Sequence, residues 1–250
     1  MLLLYNLFMD KQSFKKELRF TIIWLCTYFG LLISANFLSQ AINIPNSFNA
    51  IIEVIFPILV IYYLKKKNLL NYYGLNSLNN LNHKNLIYYL PMVVLILSNL
   101  IYGISVNYPT GQIALIAISM IGVGFSEEIL FRSFLIRTLE KLDKKLAIIL
   151  PSALFGLFHL FNLFAGAELF ATLSQVLYAS FVALAFSLFF SKTNNVVPCM
   201  ITHALVNITD IFIPTDLTTT KQITMCIVMI VASGLYALYL FKTKKELTRY

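Results

Sequence analysis

Charged side chains are scarce in this sequence. Asp, Glu, Lys and Arg make up 12% of the 250 residues, whereas hydrophobic residues make up 59% and the mean hydropathy is +0.78. Soluble domains carry about 25% charged residues. The composition therefore excludes an ordinary soluble domain and indicates an integral membrane protein.

Cysteines, linkers and repeats are also few or missing. Cys26, Cys199 and Cys226 lie in apolar segments without metal-ligand spacing, so we expect free core thiols rather than a disulfide framework. No Pro/Gly/Ser-rich linker and no repeat of fixed period interrupts the chain, and we expect a single membrane domain over residues 1–250. The N-terminal apolar run has no basic residue before it and no small-residue cleavage site after it, so we expect it to be retained.

Long apolar segments predict the fold. A helix needs about 20 apolar residues to cross the hydrocarbon core of a bilayer, and eight segments approach that length. They are roughly residues 20–40, 49–64, 86–104, 112–130, 147–164, 169–190, 196–213 and 222–241. The predicted fold class is all-α, a polytopic membrane helical bundle of about eight transmembrane helices. We expect the shorter segments to be tilted, broken or only partly inserted into the bilayer.

The net charge of +8 is concentrated in alternate connections. With eight spans, one side receives Lys11, Lys15, Lys16, Arg19, Lys65, Lys66, Lys67, Lys84, Arg137, Lys141, Lys144, Lys145, Lys192, Lys242, Lys244, Lys245 and Arg249. The opposite connections carry only Lys221. The positive-inside rule then predicts that both termini are cytoplasmic. The basic charge is therefore a topology signal with some attraction to anionic lipid, and we expect no nucleic-acid partner.

Two adjacent glutamates lie at the end of an apolar segment, in the run Glu127-Glu128-Ile129-Leu130-Phe131-Arg132. Charged groups inside a bilayer are expensive and usually functional. Residues four apart share a helix face, so Glu128 and Arg132 can form an ion pair, whereas Glu127 points about 100° away and is left for proton transfer. The alternative is a charged cap where the helix reaches the membrane surface, because further charged residues follow soon.

Two histidines lie in later apolar segments. Phe155 and His159 are one helical turn apart, so the ring can pack against the imidazole. His203 and Asn207 repeat this spacing with two hydrogen-bonding side chains. A buried core histidine and a helix–helix hydrogen bond, at roughly 1 kcal/mol or less, are the alternatives for each motif alone. Their coincidence with the acidic motif in three apolar spans indicates a buried hydrolytic site.

The depth of these groups depends on where the fourth span ends. At about 1.5 Å per residue, Glu127, His159 and His203 can meet in one cavity if that span ends deep, near residue 130. A fourth span that continued to the membrane surface would separate Glu127 from His159.

Three motifs in this order, Glu-Glu-x-x-x-Arg, Phe-x-x-x-His and His-x-x-x-Asn, resemble the CAAX protease and bacteriocin-processing (CPBP, or Abi) family of intramembrane proteases. The resemblance covers about residues 112–212 and leaves residues 1–111 as scaffold helices. It implies peptide-bond hydrolysis in a cavity open to the cytoplasm and the membrane. It also implies these roles: Glu127 as the catalytic carboxylate, Glu128 and Arg132 as its supporting pair, His159 as its partner in activating water, and His203 with Asn207 as the groups that face the scissile carbonyl.

A zinc mechanism is also open. Glu127, His159 and His203 provide two nitrogens and one carboxylate with room for water, as in catalytic zinc sites, and zinc lowers the pKa of such a water to about 7. No His-Glu-x-x-His helix favours zinc. We therefore favour direct carboxylate catalysis without a metal.

The resemblance implies a hydrophobic or lipidated peptide, or a membrane-protein tail, as the substrate. Bacterial members act in bacteriocin self-immunity or in maturation of signalling peptides, and the short loops suit a bacterial plasma-membrane protein. A non-catalytic membrane scaffold of the same fold and a transporter or proton relay are the two rival functions. The complete motif set argues against the scaffold, and the lack of inverted repeats or Gly/Pro-broken helix pairs argues against the transporter.

Overall fold

The computed structural model describes residues 2–44, 47–78, 88–215 and 217–243. All regular secondary structure in these residues is helical, which confirms the predicted fold class. The eight helices of this part are α1 Leu2–Ala41, α2 Ser47–Lys66, α3 Leu90–Ser98, α4 Thr110–Glu140, α5 Lys144–Phe158, α6 Leu169–Thr193, α7 Val197–Asp210 and α8 Thr219–Lys242. Helix α5 continues as a 3-10 helix over His159–Ala165.

Six of the helices are long and apolar enough to cross a membrane: α1, α2, α4, α5 with its 3-10 continuation, α6 and α8. The protein is therefore a multi-pass integral membrane protein. Helices α3 and α7 have only 9 and 14 residues. These two occupy the predicted spans at 86–104 and 196–213, of which residues 86 and 87 lie outside the described part of the chain.

The segment that contains α3 nevertheless runs through most of the depth of the bundle. Tyr236 near the end of α8 donates a hydrogen bond to the carbonyl of Tyr88, 2.7 Å away. At the start of α8, the Lys221 ammonium lies 5.3 Å from the ring centre of Tyr102. The segment 88–102 therefore follows α8 over most of its length, and irregular residues after α3 complete the path.

The basic connections lie at one end of the bundle, as the charge pattern predicts. Lys141 donates to the hydroxyl of Ser13 at 2.7 Å, and Lys192 donates to the carbonyl of Thr243 at 2.5 Å. We call this end the basic end. Lys84, Lys244, Lys245 and Arg249, which also entered that prediction, lie outside the described residues, and so does the side chain of Lys11. The assignment of the basic end to the cytoplasm stays a prediction.

Helix α4 is longer than the sequence analysis expected. The prediction that the fourth span ends near residue 130 is wrong, because the helix continues through a π-helical segment, Ile129–Ile136, to Glu140. All eight side chains of that segment are buried. The segment therefore continues the buried surface of α4 beyond Glu128. This length places Glu127 and Glu128 near the middle of a 31-residue helix rather than at its exit. The charged-cap alternative is excluded.

Two glycines let α4 approach its neighbours closely. A Cβ on Gly122 would lie 2.1 Å from the carbonyl oxygen of Glu53 in α2, and a Cβ on Gly124 would lie 2.7 Å from the backbone nitrogen of Ala204 in α7. Small residues at such contacts are typical of helix packing in membranes. The Gly124 contact matters for the site, because Ala204 follows His203 directly and the two glutamates follow Gly124 by one turn.

Replacement of Gly124 by alanine is expected to destabilise the protein. The added methyl group meets backbone that cannot move aside, and overpacking of this kind costs about 1–3 kcal/mol. The matched control is Gly234→Ala in α8, where the nearest atom to the new Cβ is an ordinary 3.7 Å away. Thermal unfolding of the detergent-solubilised protein should show a lower melting temperature for Gly124→Ala only. Equal melting temperatures for the two variants would contradict the close α4–α7 contact.

Candidate functional site

An ion pair within α4 lies at the centre of the bundle. The Nε atom of Arg132 is 3.1 Å from Oε2 of Glu128, and the two side chains are 1% and 0% exposed. This is the i,i+4 pair that the sequence predicts. The π-helical segment begins directly after Glu128 and contains Arg132. Single π-helical turns in α-helices occur frequently at functional sites.

His203 of α7 lies between the two glutamates of α4. Its Nδ1 atom is 3.0 Å from Oε1 of Glu128, and its Nε2 atom is 3.8 Å from Oε2 of Glu127. An ionised carboxylate only accepts hydrogen bonds, so the Nδ1–H group of His203 donates to Glu128 and the ring turns its Nε2 atom towards Glu127. The second distance is too long for a direct hydrogen bond and suits a bridging water.

Phe155 of α5 contacts three of the polar side chains. Its ring centre lies 4.4 Å from the guanidinium carbon of Arg132, 5.2 Å from the His159 ring and 5.6 Å from the His203 ring. The predicted packing of Phe155 against His159 is confirmed. The ring also provides a cation–π contact for a guanidinium that has little access to water.

His159 has a defined orientation. Its Nδ1 atom is 3.1 Å from the carbonyl oxygen of Phe155. A carbonyl oxygen only accepts, so Nδ1 carries the hydrogen in this bond and Nε2 of the neutral ring remains an acceptor. The chain changes from α-helix to 3-10 helix at this residue.

A cavity of about 70 Å³ joins most of the predicted site residues. Glu128, Arg132, His159, His203 and Asn207 line it, together with apolar side chains from α5, α6 and α7. This volume has room for a few water molecules, since one water needs roughly 10–15 Å³ of such space. Five of the six predicted residues therefore line one cavity that has room for water.

Glu127 is placed differently from the expectation. It is not among the described residues that line the cavity, and 19% of its side chain is exposed. Its carboxylate interacts electrostatically with Tyr28 of α1 and Glu53 of α2. No direct contact joins it to His159 within the described part of the chain. The imidazole beside Glu127 is that of His203, so the geometry does not reproduce the implied pairing of Glu127 with His159.

Arg132 has hydrogen-bond donors that lack acceptors in the described structure. Its Nη1 and Nη2 atoms are buried and have no hydrogen-bond partner in the described structure. Buried polar groups are nearly always hydrogen-bonded. Because Arg132 also lines the cavity, the missing acceptor is a molecule that enters it, either water or a substrate oxygen.

The proposed zinc ligands do not form a ligand set. Among the described residues, no group of three His, Cys, Asp or Glu side chains is arranged to hold a metal ion. His203 already uses Nδ1 for Glu128, and Glu127 has no contact with His159. Glu127, His159 and His203 as placed here therefore do not fit a three-ligand zinc site.

Sequence analysis missed the residues of a second, larger cavity of about 230 Å³. It shares Asn99, Tyr178, Asp210 and Met229 with the first cavity. Asp210 follows Asn207 by three residues and His203 by seven, so helical spacing alone could have found it.

The larger cavity extends to the connection between α7 and α8, at the end opposite the basic end. The resemblance implied a cavity open to the cytoplasm, whereas the charge pattern predicts the cytoplasm at the basic end. The larger cavity therefore extends away from the end at which the charge pattern predicts the cytoplasm.

Comparison with known proteins finds one family. Residues 109–209 match the family model "Type II CAAX prenyl endopeptidase Rce1-like". No curated protein and no solved structure matches the chain significantly. The matched segment includes α4, α5, α6 and nearly all of α7, which carry all six site residues that the sequence predicts. Residues 109–209 therefore form a domain of the CPBP family, which confirms the resemblance that the three motifs indicated.

Proposed function

We propose that the protein is an intramembrane endopeptidase whose glutamates and histidines activate water to hydrolyse a peptide bond. The family match supports an endopeptidase of the CAAX-protease type. The observation that carries the mechanism is the position of His203, with one ring nitrogen at Glu128 and the other facing Glu127. An acid that orients a histidine so that its second nitrogen can take a proton is a recurring arrangement in hydrolases.

The attacking water lies between Glu127 and Nε2 of His203. The 3.8 Å separation of these two groups supports this position, because one water can contact both. His203 accepts a proton as the water oxygen attacks the carbonyl carbon, and Glu127 accepts the water's other hydrogen bond and orients it. The positive charge that develops on the imidazole is flanked by two carboxylates, which stabilise it.

The carbonyl oxygen and the leaving amine of the substrate contact the other polar side chains of the site. The side-chain amide of Asn207 and the unpartnered guanidinium of Arg132 can donate to the developing oxyanion, and removal of one such donor typically costs about 3–4 kcal/mol of barrier. The C–N bond then breaks, and the departing nitrogen takes the proton that came from water. Nε2 of His203 carries this proton and delivers it to the nitrogen, while the free Nε2 of His159 accepts a hydrogen bond from the leaving N–H group and positions it.

The substrate we propose is a hydrophobic or lipidated peptide, or the tail of a membrane protein. The small volume and the apolar surroundings of the cavity favour an extended chain that reaches the site from the membrane. Bacteriocin self-immunity and maturation of peptide signals are the biological settings we propose. A non-catalytic scaffold has no need for an unpartnered guanidinium in a water-sized cavity, and this observation favours the enzyme.

Replacement of Glu127 by glutamine is expected to lower turnover by about 10²-fold or more, because the carboxylate that orients the attacking water and stabilises the charged imidazole of His203 is lost. Melting temperature should stay near that of the wild type, since Glu127 is partly exposed and has no direct hydrogen bond to lose. The matched control, Glu140→Gln, removes a carboxylate from the surface end of the same helix and should retain turnover. Mass spectrometry of a panel of hydrophobic and lipidated peptides, incubated with the purified full chain, measures the effect. Full turnover by Glu127→Gln would contradict the mechanism.

Replacement of Arg132 by methionine is expected to destabilise the fold by about 3–5 kcal/mol, because it leaves the carboxylate of Glu128 buried without its cation. The double variant Glu128→Gln/Arg132→Met removes both charges and should recover much of this loss. It should not recover turnover, since the acid behind His203 and the donor to the oxyanion are both absent. Thermal unfolding and peptide cleavage separate the two effects. A double variant as unstable as the single one would show that the ion pair is not what the fold requires.

Removal of metal is expected to leave turnover unchanged, because the donor groups do not form a zinc ligand set. The preparation is treated with excess EDTA and 1,10-phenanthroline, and its metal content is measured by elemental analysis. Loss of activity that added Zn²⁺ restores would establish the zinc mechanism instead.

A further inference from the structure

The larger cavity has one charged group in its described wall. Side chains from α6, α7, α8, the α7–α8 connection and the residues after α3 line it. Among these lining residues, Asp210 is the one ionisable acid or base of Asp, Glu, Lys, Arg or His type. Its volume, about 230 Å³, exceeds that of the engineered cavity of about 150 Å³ that accepts benzene. It is large enough for a long amino-acid side chain.

Asp210 has no counter-ion in the described part of the chain. Its side chain takes part in no ion pair and in no hydrogen bond with another described residue. The cation nearest in sequence, Lys221, holds its ammonium over the ring of Tyr102 instead. Asp210 is also the last residue of α7, where the negative end of the helix dipole disfavours a carboxylate. Asp210 is exposed, so its carboxylate is accessible to a cation that enters the cavity.

The remaining walls suit the stem of a long basic side chain. Met225 and Met229 provide flexible apolar surface for methylene groups. Asn99 uses its amide hydrogens for the carbonyl of Val206 and the hydroxyl of Thr209. The Asn99 oxygen therefore remains available as a second acceptor. Lysine and arginine combine such an apolar stem with a cationic head.

We propose that the larger cavity is a substrate subsite that binds a lysine or arginine side chain through Asp210. This inference rests on the proposed peptidase function and names a feature of its substrate. The subsite is continuous with the catalytic cavity, because Asn99, Tyr178, Asp210 and Met229 line both.

Helix geometry sets the distance of the basic residue from the scissile bond. Asp210 lies seven residues after His203 on α7, which is a rise of about 10 Å along the axis. An extended peptide advances about 3.3 Å per residue. The recognised basic residue is therefore about three residues from the bond that is cleaved.

The test uses acetylated apolar dodecapeptides of Leu, Ala and Val in which a single lysine is moved along the chain. Each peptide has partners with norleucine or glutamate at the same position. The full-length wild-type protein should cleave the lysine peptide with a kcat/KM about tenfold or more above that of the norleucine partner, which is the usual range for a hydrogen bond to a charged group. The preferred cleavage should lie about three residues from the lysine.

Two variants test the role of Asp210. Asp210→Asn should reduce the ratio of kcat/KM for lysine over norleucine to near one, and Asp210→Lys should shift the preference to the glutamate peptide. The control Glu168→Gln removes an exposed carboxylate near the same end of the bundle, outside the lining of the cavity, and should keep the wild-type ratio. A wild-type ratio near one, or a ratio that Asp210→Lys leaves unchanged, would overturn the inference while the peptidase function stands.

Binding distinguishes this outcome from failure of the function itself. Fluorescence anisotropy of labelled lysine and norleucine peptides is measured with Glu127→Gln and with Glu127→Gln/Asp210→Asn. Tighter binding of the lysine peptide that depends on Asp210 supports the subsite even if no peptide is cleaved. Equal binding of the two peptides, or no binding, rejects it.

Discussion

The buried ion pair between Glu128 and Arg132 is the interaction on which the rest of the site depends. Two full charges at the centre of an apolar bundle are tolerated only because each neutralises the other and because further groups make favourable contacts with each charge. His203 donates to Glu128, and the Phe155 ring faces the guanidinium. The same contacts orient the imidazole. The contacts that compensate the two buried charges therefore also set the catalytic geometry. A change to one of them changes the other.

Close helix packing makes this arrangement possible. The pair lies on α4, whereas His203 lies on α7, and the two helices approach at Gly124 and Ala204 without space for a Cβ. The π-helical segment of α4 adds a second constraint, because it carries Arg132 inward and extends the helix to Glu140. A helix that ended near residue 130 would place the glutamates nearer the surface, where water would screen their charges.

The two cavities follow each other from the centre of the bundle towards the end opposite the basic end. The catalytic cavity is small, and it shares four lining residues with a larger cavity that extends away from the basic end. Asp210 lies where the two meet, on the same helix as His203 and Asn207. A single helix, α7, therefore presents a base, an amide and an acid along one face. A substrate chain that lies along this face meets all three groups in turn.

Much of this protein could be predicted from its sequence. Hydropathy and the distribution of lysines indicate a helical membrane bundle with its basic connections at one end, because burial in lipid and the positive-inside rule act on composition and local sequence. Four-residue spacings also predicted the pair Glu128–Arg132 and the packing of Phe155 against His159, since neighbours on one helix face are decided within a single helix.

Contacts between helices required the tertiary structure. The end of α4 was misjudged because a π-helical segment has no hydropathy signature, and that error changes the depth of Glu127. The pairing of Glu127 with His203 rather than His159, the failure of the three proposed zinc ligands to converge, and the position of Asp210 between two cavities depend on how α4, α5 and α7 pack. Such packing follows from side-chain volumes and close backbone contacts between segments far apart in the chain, which local spacing does not encode.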